Sequence, residues 1–232
     1  MKSFAFIKYL ALGVVVASLL AQTPTAPPAD ASAPAPSVGG TINAPQGLPP
    51  RTAPSDYPVQ AKLGAITLAA EFAGHGIPTS VGPLSTDSYI VVEVAFFGPA
   101  GSRLPISFND FSLRISGKKN ATPSEPWERV GTSAKDPEWT PPEKPEKGGA
   151  GGLLTGGGGG GNDTSKEPPR PPAELRRAWA QRVKEAALAN GDRLLPQDGL
   201  VYFSYGGNLK NIRSLELVYA GAAGKATLNL QP

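Results

Sequence analysis

Residues 87–98, with the sequence DSYIVVEVAFFG, decide the fold class of this chain. Every second residue from Ile90 onward is apolar, and the alternate set is apolar except for Glu93. Period-two alternation is typical of a β-strand, and β-branched and aromatic residues favour strands further. Because both faces of this stretch are apolar, we predict a strand in the middle of a sheet, covered on both sides.

The same periodicity continues on both sides of this stretch. A change of phase across Asn109–Asp110 predicts a bulge or tight turn there, and residues 221–224 predict a short hairpin loop. The other predicted strands lie within residues 62–74, 105–117, 200–205, 215–219 and 225–230. About six or seven short strands with turns between most of them indicate two packed antiparallel sheets.

A long insertion separates the two groups of strands. Residues 117–171 are rich in Pro and Gly, which predicts a disordered insertion. Residues 172–191 predict one amphipathic helix, which is too short to be stable alone and should dock on the sandwich. Its apolar residues recur at helical spacing, and we expect Trp179 to be the anchor; the set is Leu175, Trp179, Val183 and Ala186. The alternative is that this helix binds a partner.

The N-terminal region has the features of an exported protein. Residues 1–21 combine Lys2 and Lys8, an apolar run and small residues, the three parts of a secretory signal peptide. The alternative is an uncleaved helix that anchors the chain in the inner membrane. Residues 22–58 are rich in Pro and Ala and predict an extended, disordered tether, because proline lacks the N–H that a helix or sheet requires.

Composition excludes several kinds of chemistry. The chain has no cysteine, which excludes disulfides, thiolate metal sites and a lipidated cysteine. Its formal net charge of +3 falls to +1 without the two lysines of the leader, so no long-range field favours nucleic acid. His75 is the only histidine and is predicted to be a solvated turn residue, since a metal site or a catalytic triad needs further partners.

The acidic residues also have structural explanations. Glu71 and Glu93 occupy outward positions on predicted strands, and Asp110 and Asp198 lie at predicted turns. The sequence therefore predicts no catalytic, cofactor-binding or metal-binding residues. A hidden carboxylate site would require two buried carboxylates within about 10 Å of each other in a cleft.

The order of strands resembles a known bacterial family. The matching segments are Phe111–Leu113, Pro196–Gly199, Val201–Phe203 and Leu215–Tyr219. They resemble exported immunoglobulin-like domains of a family of unknown function whose extracellular fold has a telomeric-repeat-binding-factor-like name. The resemblance covers roughly residues 59–116 and 194–231, and it implies a fold and an envelope location without catalytic residues. The long insertion and the lack of a lipidation cysteine depart from the family pattern.

The sequence thus predicts a mainly β protein, an immunoglobulin-like antiparallel β-sandwich formed by residues 59–116 and 192–232, with one inserted amphipathic helix and long disordered segments. We expect an exported, non-catalytic interaction or scaffold module, periplasmic or extracellular, that binds an unknown envelope protein or glycan. It would touch a membrane only through an uncleaved N-terminal segment. One alternative is a small-ligand or glycan-binding domain that uses an exposed strip of Trp127, Trp139 and Tyr202. The other is an enzyme, a cryptic carboxylate hydrolase.

Overall fold

The computed structural model describes residues 44–142 and 170–232, and these residues form twelve strands and two α-helices. The strands are β1 (Val59–Leu63), β2 (Ile66–Gly74), β3 (Gly76–Ile77), β4 (Leu84–Ser85), β5 (Tyr89–Phe97), β6 (Arg103–Ile106), β7 (Phe111–Ile115), β8 (Thr122–Glu125), β9 (Gly191–Leu194), β10 (Gln197–Ser204), β11 (Leu215–Gly221) and β12 (Gly224–Leu230). The helices are α1 (Trp127–Gly131) and α2 (Ala173–Ala186). The predicted signal peptide, residues 1–21, lies outside the described residues.

Eight of the strands form one antiparallel sheet in the order β1-β2-β5-β10-β8-β7-β11-β12. The short strand β8 joins two halves, because it pairs with β10 through Glu125 and Ser124 and with β7 through Pro123 and Thr122. The sheet folds over at β8, so that β1, β2, β5 and β10 face β7, β11 and β12. Two short pairs, β3–β4 and β6–β9, lie outside this sheet.

The main core fills the space between the two halves. The side chains of β5 that begin with Ile90 are buried there, together with alternate residues of β2, β7, β10 and β11. The rings of Phe96 and Tyr219, from opposite halves, lie 5.4 Å apart, and Phe111 packs beside both. The predicted fold class, an antiparallel β-sandwich with an inserted amphipathic helix, is confirmed. The predicted turn at Asn109–Asp110 is confirmed as a 3-10 turn, Phe108–Asp110.

The outer face of β5 and β10 is covered by α2, and this second layer forms its own apolar cluster. Trp179 and Val183 are buried in it, as the helical spacing predicts, whereas Leu175 is 38% exposed. The predicted helix end at residue 191 is wrong, because α2 ends at Ala186. From Ala187 onward the chain instead joins β10, where the N–H of Leu188 donates to the carbonyl oxygen of Leu200 at 2.9 Å.

Gly199 makes this close contact between β10 and residue 188 possible. A Cβ atom at Gly199 would lie 2.4 Å from the Cα atom of Leu188. We therefore expect Gly199→Ala to lower the free energy of unfolding by about 2 kcal/mol, because two backbones must move apart. Urea denaturation measures the loss. Gly206→Ala is the matched control, since a Cβ there would meet nothing within 4 Å; an equal loss in both variants would contradict the contact.

Part of the predicted disordered insertion, residues 117–171, is ordered. Residues 118–142 contain β8 and α1, so the prediction is wrong for them. The physical reason is apolar burial by two tryptophans, which offsets the entropy lost on ordering. Trp127 and Trp139 pack on the cluster beneath α2, and the rings of Trp139 and Trp179 lie 6.3 Å apart. Residues 143–169, with the glycine tract, lie outside the described residues.

The predicted tether, residues 22–58, is also wrong over its last part, because residues 44–58 pack on the sheet and include a 3-10 turn, Pro54–Asp56. The count of about six or seven strands is too low. It missed β1, β8 and the two short pairs, whose strands have no more than five residues and too little sequence to display a period. Neither helix in the described ranges is long and apolar enough to cross a membrane. The alternative N-terminal anchor lies outside those ranges.

Candidate functional site

Three carboxylate residues come together on the outer face of the sheet, on three neighbouring strands. Glu71 of β2 lies directly opposite Glu93 of β5. Asp198 of β10 lies opposite Ala95, which is two residues along β5 from Glu93 and therefore on the same face. Like charges directly opposite each other on a sheet destabilise it, so this arrangement requires a compensating cation.

Arg51 supplies that cation from the segment that precedes β1. Its Nη2 atom donates to Glu71 and to Glu93, at 3.2 Å from the Oε2 atom of Glu93. Its Nη1 atom donates to the carbonyl oxygen of Asp56 at 2.7 Å, and the guanidinium lies 4.4 Å from the centre of the Tyr57 ring. One arginine therefore joins two strands to the N-terminal segment.

The third carboxylate is bound by a tyrosine. The hydroxyl of Tyr57 donates to Asp198, and the same hydroxyl accepts the backbone N–H of Arg51 at 3.3 Å. Asp198 is 0% exposed. Burial, together with the charge of Glu93, raises the pKa of Asp198 to about 8 despite the lowering effect of the Tyr57 hydrogen bond. Burial therefore favours the protonated form of Asp198 at neutral pH.

Burial also raises the pKa of Tyr57, and the hydrogen bond to Asp198 acts in the same direction. The ring of Tyr57 packs on Ala69 and Ala95 and meets Phe97 edge-on, with 5.9 Å between ring centres. Arg51 and Tyr57 thus bring residues 51–57 down onto the sheet through a charged contact and an apolar one.

A cavity of about 320 Å³ opens beside this cluster. Arg51, Glu71 and Glu93 form its polar side, and its apolar side consists of Ala73, Gly76, Ile77, Pro78 and Pro83. Asp198 does not line this cavity. A protonated carboxyl group with a pKa near neutrality is a suitable general acid, but it must lie within hydrogen-bond reach of the substrate. The accessible carboxylates are those of Glu71 and Glu93, which share the single guanidinium of Arg51.

The sequence predicted part of this cluster. The outward positions of Glu71 and Glu93 are confirmed, because both lie on the face opposite the main core. The prediction that Asp198 lies at a turn is wrong: it is a buried residue of β10. The turn forms before it, at residues 195–196, and the strand begins at Gln197. Arg51 and Tyr57 were missed because they lie among prolines in the predicted tether.

The predicted aromatic strip is not exposed. Tyr202 is 1% exposed and lies beneath α2, where its hydroxyl donates to the carbonyl oxygen of Val183 at 3.2 Å. Trp127 and Trp139 are half-buried against the same cluster. The alternation of apolar residues in the sequence does not reveal the burial of Tyr202, because the helix that covers it belongs to the insertion between the two groups of strands.

His75 lies in a turn, as predicted, but it is half-buried rather than solvated, so the second part of that prediction is wrong. Its Nδ1 atom lies 2.7 Å from the carbonyl oxygen of Tyr89, and its own carbonyl oxygen accepts the N–H of Thr86. The side chain thus fastens the irregular end of β2 to β5. Within residues 44–142 and 170–232, no group of three His, Asp or Glu side chains is arranged to hold a metal ion.

Comparison of the chain with protein-family models, with curated proteins and with solved structures finds no match to any of them.

Proposed function

We propose that this protein is an exported, non-catalytic module of the bacterial envelope that acts by binding a partner protein. The signal-like pattern of residues 1–21 supports export, and the absence of cysteine is compatible with an oxidising compartment. The observation that carries the proposal is how the carboxylate cluster is used. Glu71, Glu93 and Asp198 all hold the N-terminal segment on the sheet.

This use of the cluster favours binding over catalysis. An acid–base pair needs two carboxyl groups that reach a substrate from one cleft. Here the carboxyl group with the most perturbed pKa, that of Asp198, has no access to the cavity beside it. The carboxylates of Glu71 and Glu93, which do line the cavity, are ion-paired with Arg51. Among the described carboxylates of this cluster, the one whose pKa suits a general acid therefore does not reach the cavity, which supports binding over hydrolysis.

The glycan-binding alternative requires an exposed aromatic surface, which the predicted strip does not provide. Sugar-binding sites present the face of an aromatic ring to the ligand, and the proposed strip of Trp127, Trp139 and Tyr202 is turned into the cluster beneath α2. An envelope protein is the partner that the remaining observations favour.

We expect the full chain, produced in a bacterial host, to be found in the envelope or periplasmic fraction with a mature N-terminus near residue 22. Mass spectrometry of the purified protein measures that terminus, and crosslinking in intact cells should yield one specific partner band. A variant without residues 4–21 is the control and should remain in the cytoplasm. A wild-type chain that retains Met1 in the cytoplasm and forms no specific crosslink would refute the proposal.

A further inference from the structure

The segment that carries Arg51 and Tyr57 is attached in an unusual way. We call residues 46–57 the strap. Among the described residues, no backbone-to-backbone hydrogen bond joins the strap to the sheet. The backbone N–H groups of Asp56 and Tyr57 donate to carbonyl oxygens within the strap. Prolines at 49, 50 and 54 remove N–H groups that a ladder would need. The strap is therefore held by side chains.

The attachments include two apolar contacts, of Leu48 with the cluster beneath α2 and of Tyr57 with Ala69 and Ala95, and a few polar ones. Arg51 is paired with Glu71 and Glu93, the Tyr57 hydroxyl donates to Asp198, and the side-chain amide of Gln197 donates to the carbonyl oxygen of Gln46 at 3.2 Å. The guanidinium of Arg51 is about one-third exposed, so salt and water screen its ion pairs. A segment without ladder hydrogen bonds opens at a lower free energy than the strands beneath it.

The surface under the strap is apolar in the middle and acidic at one side. Ala69 and Ala95 are fully buried there, with Phe97 at the margin. Glu71, Glu93 and Asp198 adjoin them on the same face. If the strap lifts, this surface offers an aromatic-sized apolar patch beside two carboxylates that have lost their cation.

We propose that the strap is a removable cover over an interaction surface, and that the open surface receives a proline-rich segment of a partner that carries an arginine and a tyrosine. This is the chemistry that the strap itself presents to the surface, in which a guanidinium pairs with two carboxylates and a phenol ring fills the apolar patch. The inference rests on the proposed binding function and names the kind of partner. Its tests use purified protein, so their failure would leave the export and crosslinking results unaffected.

Because the chain has no native cysteine, the labelling rate of a single introduced cysteine measures strap opening directly. Ala69 and Ala70 are adjacent residues of β2, both 0% exposed, with Ala69 under the strap and Ala70 in the main core. We expect the thiol of Ala69→Cys to react with a disulfide reagent at pH 7.5 at least about tenfold faster than that of Ala70→Cys, since a tenfold ratio needs an opening only about 1.4 kcal/mol cheaper than global unfolding. Equal rates would mean that the strap opens only with the whole domain, and would overturn the proposal.

The partner chemistry is tested in the full chain with Arg51→Ala and Ala69→Cys together. Losing the ion pairs should speed labelling further, while circular dichroism checks that the sheet remains. A synthetic peptide of residues 44–58 should then slow the labelling, and the same peptide with alanine at the arginine and tyrosine positions should not. No slowing by the native peptide, or equal slowing by both peptides, would overturn the assigned partner chemistry.

Discussion

Replacing Asp198 by asparagine should raise the free energy of unfolding, and the gain should grow as the pH rises from about 4 to about 8. In the folded protein burial raises the pKa of Asp198 from 3.8 to about 8, so the folded state keeps a proton that the unfolded state releases. The unfolded state therefore binds fewer protons in this window, and the wild-type protein loses stability as the pH rises. The slope from this one group is at most about 1.4 kcal/mol per pH unit. Asparagine has no proton to lose and still accepts the Tyr57 hydrogen bond.

Urea denaturation of both proteins at several pH values from 4.5 to 9 measures the difference directly. Above the folded pKa the difference should reach a plateau. Asp192→Asn is the control, because this carboxylate is exposed and pairs with Arg103 at 2.7 Å on the surface. An equal change with pH in both variants would mean that the change does not come from the buried carboxyl group of Asp198. If the Asp198→Asn difference were constant from pH 4.5 to 9, Asp198 would be ionised in the folded state, and the Tyr57 hydrogen bond and Arg51 would outweigh burial.

The longer strands of the sheet could be predicted from the sequence because their side chains report their surroundings locally. Alternation from Ile90 to Phe96 reflects a core on one face. The apolar alternate set reflects two covers on the other face, α2 over Val91 and the strap over Ala95. The hairpin of β11 and β12 was readable for the same reason, since its apolar residues alternate on both sides of a loop rich in Gly and Ala. Period and turn residues are properties of a short window, so one sequence suffices to see them.

The cluster around Asp198 could not be predicted in this way, because its contacts are distant in sequence. Tyr57 and Asp198 are separated by 141 residues. Asp198 follows Pro196 and precedes Gly199, which is the composition of a turn, and Tyr57 follows a run of prolines, which is the composition of a tether. Each residue has a local explanation that is sufficient alone. Only the fold places the phenol over the carboxyl group and removes both from water.

The strap also explains how the sheet tolerates its own charges. Glu71 and Glu93 face each other across β2 and β5, and each would destabilise the other without a cation. Arg51 compensates for this repulsion only while the strap is closed, so strap and sheet stabilise each other. Burial raises the pKa of Asp198 and so disfavours a third negative charge on this face. A partner that replaced the strap would have to supply the same cation.

Trp179→Ala should have the largest effect of any single substitution in α2, with a loss of about 3–5 kcal/mol in the free energy of unfolding. Trp179 is 4% exposed and meets Trp139 edge-on, so its removal leaves a cavity between α2 and the outer face of the sheet. Leu175 lies one turn earlier on the same predicted apolar stripe but is 38% exposed. Leu175→Ala should therefore cost less than about 0.5 kcal/mol.

The comparison of these two substitutions separates docking from helix propensity. Alanine favours a helix at either position, so propensity alone predicts a small gain for both variants. A large loss at Trp179 with none at Leu175, measured by urea denaturation, means that burial of one ring fixes α2 to the sandwich. Should both variants remain as stable as the wild type, α2 would not depend on Trp179 for docking, and the layer that covers Tyr202 would have another anchor.

The same variant also tests whether α2 and the sheet unfold together. If α2 detaches before the sheet unfolds, the helical circular dichroism signal disappears at a lower urea concentration than the signal of the buried core tyrosines. In that case only the transition of the helix shifts in Trp179→Ala.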